Sequence, residues 1–328
     1  MPLISVIMPI YNPGRFLPEA ISSILRQTHS DLELIAVNDG STDDSAAFLR
    51  DAGLRDCRLR ALNIRHGGEA RALNEGIAAS KGEFVAFMDH DDIALSARLS
   101  VQLDWMVKRG VDVCGAHAQI FGAENKLLWF PETHEAILRE LVFRMALIKN
   151  SVMMRAAIAR NHCWDEHTPA YEYRMWLELA RRYRLGNVPA VLMKYRRHPG
   201  QFMKKCSSQV LAGMNALRCG HFRFLYSDGD RRDYNVISRV VGRERMENAD
   251  DLRLAGVWLS RLAGGDDDFL RERMARRWLG TCMNSAHLGM TCCRIYREIL
   301  PEFKSPVPKC AWRLPVRCAL KMAPQLRK

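Results

Sequence analysis

The stretch Phe84-Val85-Ala86-Phe87-Met88-Asp89-His90-Asp91-Asp92 decides the reading of this chain. The apolar run Phe84–Met88 reads as a buried strand, and it turns acidic at its last residue. Asp89 and Asp91 stand one residue apart just past that strand, so both can reach one oxygen-seeking divalent ion. The same residues also fit a solvated acidic turn in which Asp92 caps the next segment of chain.

Working outward, strand and helix signals alternate over the first 120 residues. Strands are predicted over Leu3–Met8, Leu32–Val37, Leu59–Ile64 and Val111–Phe121. Helices are predicted over Gly14–Gln27, after Ser41 as a cap with Asp43 and Asp44 in the first turn, over Glu69–Ala79, and over Ser96–Lys108 with Ser96 as cap. Repeated strand–helix units point to an α/β fold with a mostly parallel sheet covered on both faces. Ligands of such sheets bind beyond the carboxyl ends of the strands. Those ends read Pro9-Ile10-Tyr11-Asn12, Asn38-Asp39, Arg65-His66-Gly67-Gly68 and Asp89-His90-Asp91-Asp92, so polar and acidic groups converge on one edge. The dinucleotide fingerprint GxGxxG and the Walker phosphate loop are both absent, which argues against nicotinamide and flavin chemistry.

The pattern changes after about residue 125. Glu135–Ile148 and Glu172–Arg184 read as helices, Ser151–Arg155 as a short strand, and Val188–Arg196 as an extended run into Arg197-His198. Beyond 200 the chain reads as mainly helical and arginine-rich, with a break at Gly264–Asp268. The division expected is therefore a sheet domain over 1–200 and a basic helical region over 201–328. Charge follows it: residues 200–328 hold 24 basic and 13 acidic side chains, a net of +11 out of +12 for the chain, so an acidic partner belongs to the second region. With 48% hydrophobic and 26% charged residues, the 328-residue chain is excluded from the disordered and collagen-like classes. No apolar run approaches the roughly 18 residues of a membrane span, and the N-terminus has no basic segment or cleavage site of a secretory signal. Ten irregularly spaced cysteines without a CxxC pair read as reduced thiols of a cytosolic chain, with Cys163, Cys292 and Cys293 in the core.

Four segments, in order, resemble the family 2 inverting glycosyltransferases of bacterial type. Val6-Ile7-Met8-Pro9-Ile10-Tyr11-Asn12 is similar to their opening strand, and Asn38-Asp39-Gly40-Ser41-Thr42-Asp43 to their Asp-Asp-Gly-Ser-Thr-Asp motif. Gly68-Glu69-Ala70-Arg71-Ala72-Leu73-Asn74-Glu75-Gly76 resembles a Gly-x-x-x-Ala-Arg-Asn-x-Gly segment, and Lys81–Asp92 the strand that carries a DxD motif. The resemblance spans about residues 3–200. It implies a GT-A fold, a Rossmann-like nucleotide-binding sheet, with a glycosyltransferase activity of the hexosyltransferase class. It also implies a nucleotide-diphosphate sugar donor, a UDP-sugar first, and Mg²⁺ or Mn²⁺.

Carried over by position, the resemblance implies that Tyr11, next to Pro9, stacks on the base and that Asp39 accepts from a base N–H. Arg71 would face the nucleotide or diphosphate, Asp89 the ribose or metal, and Asp91 would ligate the metal. Ala170-Tyr171-Glu172-Tyr173-Arg174-Met175-Trp176 resembles the family's Ala-Glu-Asp-Tyr-x-Leu-Trp segment, which makes Glu172 the base in place of an aspartate, with Tyr171 where the family has glutamate. A carboxylate one methylene longer changes the reach by about 1 Å, enough to matter in catalysis. Asp165 and Glu166 are the alternatives for the base. Tyr195-Arg196-Arg197-His198 resembles a Tyr-Arg-x-His segment, which makes His198 a metal or diphosphate ligand.

The acceptor implied is a hydroxyl of a glycan or lipid-linked glycan in surface polysaccharide synthesis. Lys304–Lys328 carries seven basic and no acidic residues among Trp312, Leu314, Val316 and Leu320, which suits an anionic membrane surface and a cytoplasmic enzyme peripheral at the inner face of the membrane. No nucleic-acid motif accompanies the basic tail. Two rival readings are a degenerate transferase acting as a scaffold, suggested by Tyr171-Glu172, and a sugar nucleotidyltransferase, which would need an early triphosphate-binding segment.

Overall fold

The computed structural model describes residues 1–168, 170–198, 208–265 and 267–321. The chain divides into two compact units, one of Met1–Ile137 with Met145–Val210 and one of Leu138–Arg144 with Leu211–Lys328.

The first unit is built on a sheet whose opening half is parallel. Strands β1 (Ile4–Ile10), β2 (Leu32–Asp39), β3 (Leu59–Ile64) and β4 (Phe84–Phe87) line up in the order β3-β2-β1-β4. Ile7 pairs with both Ile35 and Phe87, and Asp39 with Ile64, so all four carboxyl ends fall at one edge. Every residue of β1 is buried, as both-face coverage of a parallel strand requires. The covering helices are α1 (Leu17–Leu25), α2 (Ser45–Arg55), α3 (Glu69–Ala79) and α4 (Arg98–Arg109). On α1, Leu17, Ala20, Ile21 and Ile24 recur at helical spacing and join the core with Val6, Met8 and Leu34.

The sheet continues with strands that the sequence reading assigned only in part. After β5 (Ile93–Ala94) come β6 (Val113–Gly122) and a short hairpin strand β7 (Lys126–Leu128). β8 (Met153–Arg155) lies antiparallel between β4 and β6, and β9 (Leu185–Arg197) runs parallel to β6. The helix expected over Glu135–Ile148 stops early, as α5 (His134–Glu140), and the chain then passes through turns to a single 3₁₀ turn, Lys149–Ser151. After β8 come the short helix α6 (Ala156–Asn161) and α7 (Tyr171–Ala180). Two expected caps are also displaced. The N-cap of α2 is Asp44 and that of α4 is Ala97; Ser41 instead accepts a hydrogen bond from the Asn12 N–H at 3.1 Å.

The second unit is helical: α8 (Ser208–Leu225), α9 (Arg231–Gly242), α10 (Ala249–Ala263), α11 (Asp268–Asn284), α12 (Met290–Ile299) and α13 (Arg313–Ala319). Its helices start where polar side chains can take the orphan N–H groups. Asp230 and Asp233 form a capping box on α9, Asn248 accepts from Asp251 N–H, and Asp267 from Leu270 N–H. Trp258, Leu259, Trp278, Cys282 and Ile295 make its interior. Cys292 and Cys293 are buried there, as expected. Cys163 is not. It is exposed because the extended stretch around it turns its neighbours His162 and Trp164 inward. All described cysteines are free thiols. Among the described residues no helix is long and apolar enough to cross a membrane, and 322–328, the last part of the basic tail, lies outside them.

Candidate functional site

The carboxyl edge of the parallel strands carries a polar cluster held by bonds from distant parts of the chain. After β2, Gly40 takes φ +67°, and a Cβ there would meet the His66 N at 2.9 Å, so the turn needs glycine. This close approach brings Asp39 under the start of α3. Its two carboxylate oxygens accept from the Gly67 and Gly68 N–H groups at 2.8 and 2.9 Å. His66 Nδ1 lies 3.0 Å from Asp39 Oδ2, and the His66 ring stacks on Tyr11 at 4.3 Å. Tyr11 is 44% exposed and offers its other side to solvent. Arg71, on the first turns of α3, is also exposed, its nearest carboxylate being Glu75 at 4.0 Å.

Two residues expected at the nucleotide also carry structural bonds. Asp39 is buried, and each of its oxygens accepts one backbone N–H, which shapes the His66–Gly68 turn. Pro9 is buried inside β1, and its carbonyl accepts from His90 Nδ1 at 3.0 Å. It holds the acidic turn and offers no surface of its own.

The acidic turn after β4 is the centre of the edge. Oxygens of Asp89, Asp91 and Asp92 lie within 4.8 Å of one another. The three are not equivalent. Asp92 is fully buried; it accepts from the Arg196 N–H at 2.7 Å and from Asn150 Nδ2, and burial lifts its carboxyl well above the usual range. It is an anchor for β9. Arg196 closes the same joint, donating from Nε to the Asp91 carbonyl at 2.7 Å and from Nη2 to Glu19 at 2.5 Å. Arg98, buried beneath the turn, donates to the Phe87 carbonyl at 2.9 Å. Asp91 and Asp89 are the partly exposed pair. Asp91 Oδ2 lies 3.0 Å from His198 Nε2, so the two residues expected to share a metal stand side by side. Hard carboxylate oxygens with one imidazole nitrogen suit Mg²⁺ or Mn²⁺, and the set present fits such an ion.

Glu172 stands in the first turn of α7, where a carboxylate is favoured by the helix dipole. Tyr173, Trp176 and Leu179 on the same helix are buried and fix its rotation. Glu172 Oε1 accepts from the Lys149 backbone N–H at 3.0 Å and from Trp176 Nε1 at 3.3 Å. Burial raises the Glu172 carboxyl and the Lys149 ammonium pulls it back; with Glu69 and Asp89 adding to the rise, it comes to about 7. Asp165 and Glu166, the alternatives, are turned to other partners: Asp165 to Arg174 Nη1 at 2.6 Å and Glu166 to Asn74 Nδ2 at 2.9 Å.

Lys149 is the residue that sequence reasoning missed. Its ammonium is buried and donates to both Asp89 and Glu69. Burial opposes that charge, but the two carboxylates outweigh it and hold the ammonium proton well above the usual lysine range. Tyr171, which stands where a carboxylate was expected, donates its hydroxyl to Glu69 at 2.6 Å. The available signal was a lysine between two apolar runs, Ala146-Leu147-Ile148 and Val152-Met153-Met154.

Over residues 5–175 the sequence matches the family model described as "Glycosyl transferase family 2". A Haemophilus influenzae protein described as an uncharacterized glycosyltransferase is 32% identical over 216 residues, 61% of this chain and 67% of that protein. The uncharacterized glycosyltransferase EpsJ of Bacillus subtilis is 40% identical over 121 residues, and this chain spans only 35% of its length. Among solved structures, residues 1–349 of S. aureus TarS in complex with UDP-GlcNAc match with a TM-score of 0.59 at 16% identity, over 92% of this chain and 91% of that one. The mannosyltransferase PcManGT from Pyrobaculum calidifontis, in complex with GDP-Man and Mn²⁺, matches with a TM-score of 0.51 at 16% identity, over 96% and 87%. The α/β sheet of GT-A type with a helical C-terminal region, expected from the sequence, is the fold found.

Proposed function

We propose that this chain, which belongs to glycosyl transferase family 2 and is a glycosyltransferase, moves a sugar from a nucleotide-diphosphate donor to an acceptor hydroxyl with inversion at the anomeric carbon. The observation that carries the reading is Glu172. Among the described residues its carboxyl is held through Oε1, burial raises it to about 7, and Asp89 is among the groups acting on it. From there Oε2 takes the proton of the acceptor hydroxyl as its oxygen attacks the sugar. A divalent cation held by Asp91, with Asp89 and His198 beside it, supplies positive charge against the departing diphosphate. One protein carboxyl then serves the reacting carbon, which gives a single displacement. Tyr11 offers its free face to the base, Arg71 its guanidinium to the diphosphate, and Asp39 holds the turn between them.

A UDP-sugar is the first donor to test, and the UDP-GlcNAc and GDP-Man complexes of the two structural neighbours mark the range. The test is a thermal-shift screen of nucleotide diphosphates with Mn²⁺, followed by turnover with the donor it selects. A ligand that binds the native state raises its melting temperature. Metal-dependent turnover with inverted product, lost by at least about 1,000-fold in Asp91→Ala, is the expected result. A product of retained configuration, or full turnover in Asp91→Ala, would contradict the mechanism.

The acceptor reading is a glycan or lipid-linked hydroxyl reached at an anionic membrane surface. Its support lies at α13, where exposed Trp312, Val316 and Leu320 recur at helical spacing beside exposed Arg313 and Lys321. Co-flotation with phosphatidylglycerol vesicles, reduced several-fold by Trp312→Ser with Leu320→Ser, is expected; unchanged flotation would remove it.

A further inference from the structure

The polar edge gathers the carboxyl groups of Asp89, Asp91, Asp92, Glu69 and Glu172. Lys149 is the cation placed among them most directly. It rises from the 3₁₀ turn Lys149–Ser151, donates through Nζ to Asp89 at the end of β4 and to Glu69 at the start of α3, and donates through its backbone N–H to Glu172 on α7. One residue therefore joins three separate acidic elements, and its side chain is only 6% exposed.

We propose that Lys149 is a resident counter-cation that sets the affinity of the edge for its divalent metal, a positioning residue acting through Asp89 and not a contact of the substrate. This inference rests on the metal reading given above. Without a metal, the ammonium neutralises Asp89 and Glu69 and keeps the buried carboxylates from repelling one another apart. A divalent ion held by Asp91 and Asp89 would share the Asp89 carboxylate with the ammonium, and at an effective dielectric of about 20 the repulsion of like charges there would weaken metal binding by more than about tenfold. Glu69 is the second partner that offsets this repulsion, and the Tyr171 hydroxyl fixes its other oxygen. The arrangement favours a weakly held ion that is secured when a diphosphate brings further negative charge.

The charge logic gives an ordered series that misfolding cannot imitate. Mn²⁺ binding to the full chain is measured by the EPR signal of free Mn²⁺, without donor or acceptor, for the wild type, Lys149→Met, Glu69→Gln, the double variant, Lys149→Arg and Asp91→Ala. Lys149→Met is expected to bind Mn²⁺ at least about tenfold more tightly than the wild type, and Glu69→Gln several-fold more weakly. The double variant and Lys149→Arg are expected within about threefold of the wild type. A disrupted fold would weaken binding in every case. Unchanged or weaker Mn²⁺ binding by a folded Lys149→Met would overturn the proposal. If that variant does not fold, unchanged or tighter binding by Glu69→Gln overturns it. The two readings fail differently. Wild-type binding that Asp91→Ala does not reduce removes the metal site and this inference together. Binding that depends on Asp91 but ignores the Lys149 series removes the role of Lys149 alone.

Discussion

The two units bury carboxylates of similar proton affinity for opposite ends. Glu172 in the sheet unit and Glu140 in the helical unit are both raised to about 7, in each case first by burial. Glu140 is set among arginines, with Arg144 Nε at 3.3 Å and Arg273 Nε at 3.7 Å, while the Asp267 carboxylate adds to its rise. Glu172 lies among Glu69, Asp89 and Lys149. A raised carboxyl is therefore not a catalytic signature by itself. What separates the two is company: arginines predominate around Glu140, whereas Glu172 sits among acids and one lysine near the carboxyl ends of parallel strands, which is the setting of the proposed base.

The largest expected effect that tests this contrast is on turnover. Glu172→Gln should lower kcat by about 100- to 10,000-fold while nucleotide affinity stays within about threefold. In the wild type, kcat should rise with pH through about 7 and level off above it, because the base must be ionised. Glu140→Gln should leave that profile in place. If Glu140→Gln moved the profile and Glu172→Gln did not, the contrast would be reversed.

The next effect is on stability. Trp278 is fully buried in the helical unit, and Trp278→Ala should cost about 3–5 kcal/mol, read from denaturant unfolding. The smallest is a pH effect. A carboxyl raised in the folded state contributes stability below its unfolded pKa, near 4.5, and loses it as pH climbs through about 7. Glu140→Gln should therefore flatten the fall in stability between pH 4.5 and 7 by about 1–3 kcal/mol. An unchanged slope would mean that the arginines keep Glu140 ionised throughout.

The same contrast explains what the sequence revealed. β3 and α3 were legible to the residue because local apolar spacing and flanking glycines determine them. Much of the acidic edge was legible because Tyr11, Asp91 and His198 follow strands and Glu172 opens a helix, all in segments the sequence singled out. Lys149 was not, and Glu69 lay in a motif without a role of its own, because their pairing joins positions 80 residues apart and no local pattern encodes it. The backbone partners of Asp39 were not legible: its oxygens meet the Gly67 and Gly68 N–H groups, a consequence of the tight Gly40 turn. The helix expected up to Ile148 ended at Glu140 because tertiary burial of Leu141, Val142 and Phe143 in turns overrode a helical spacing.

The most direct measurement is the anomalous scattering of Mn²⁺ in crystals of the full chain soaked with the nucleotide diphosphate that binds best. A single peak within coordination distance of Asp91, with the diphosphate on it and the base against Tyr11, is the result this account requires. A peak away from Asp91, or a nucleotide bound on another face of the sheet, would contradict it.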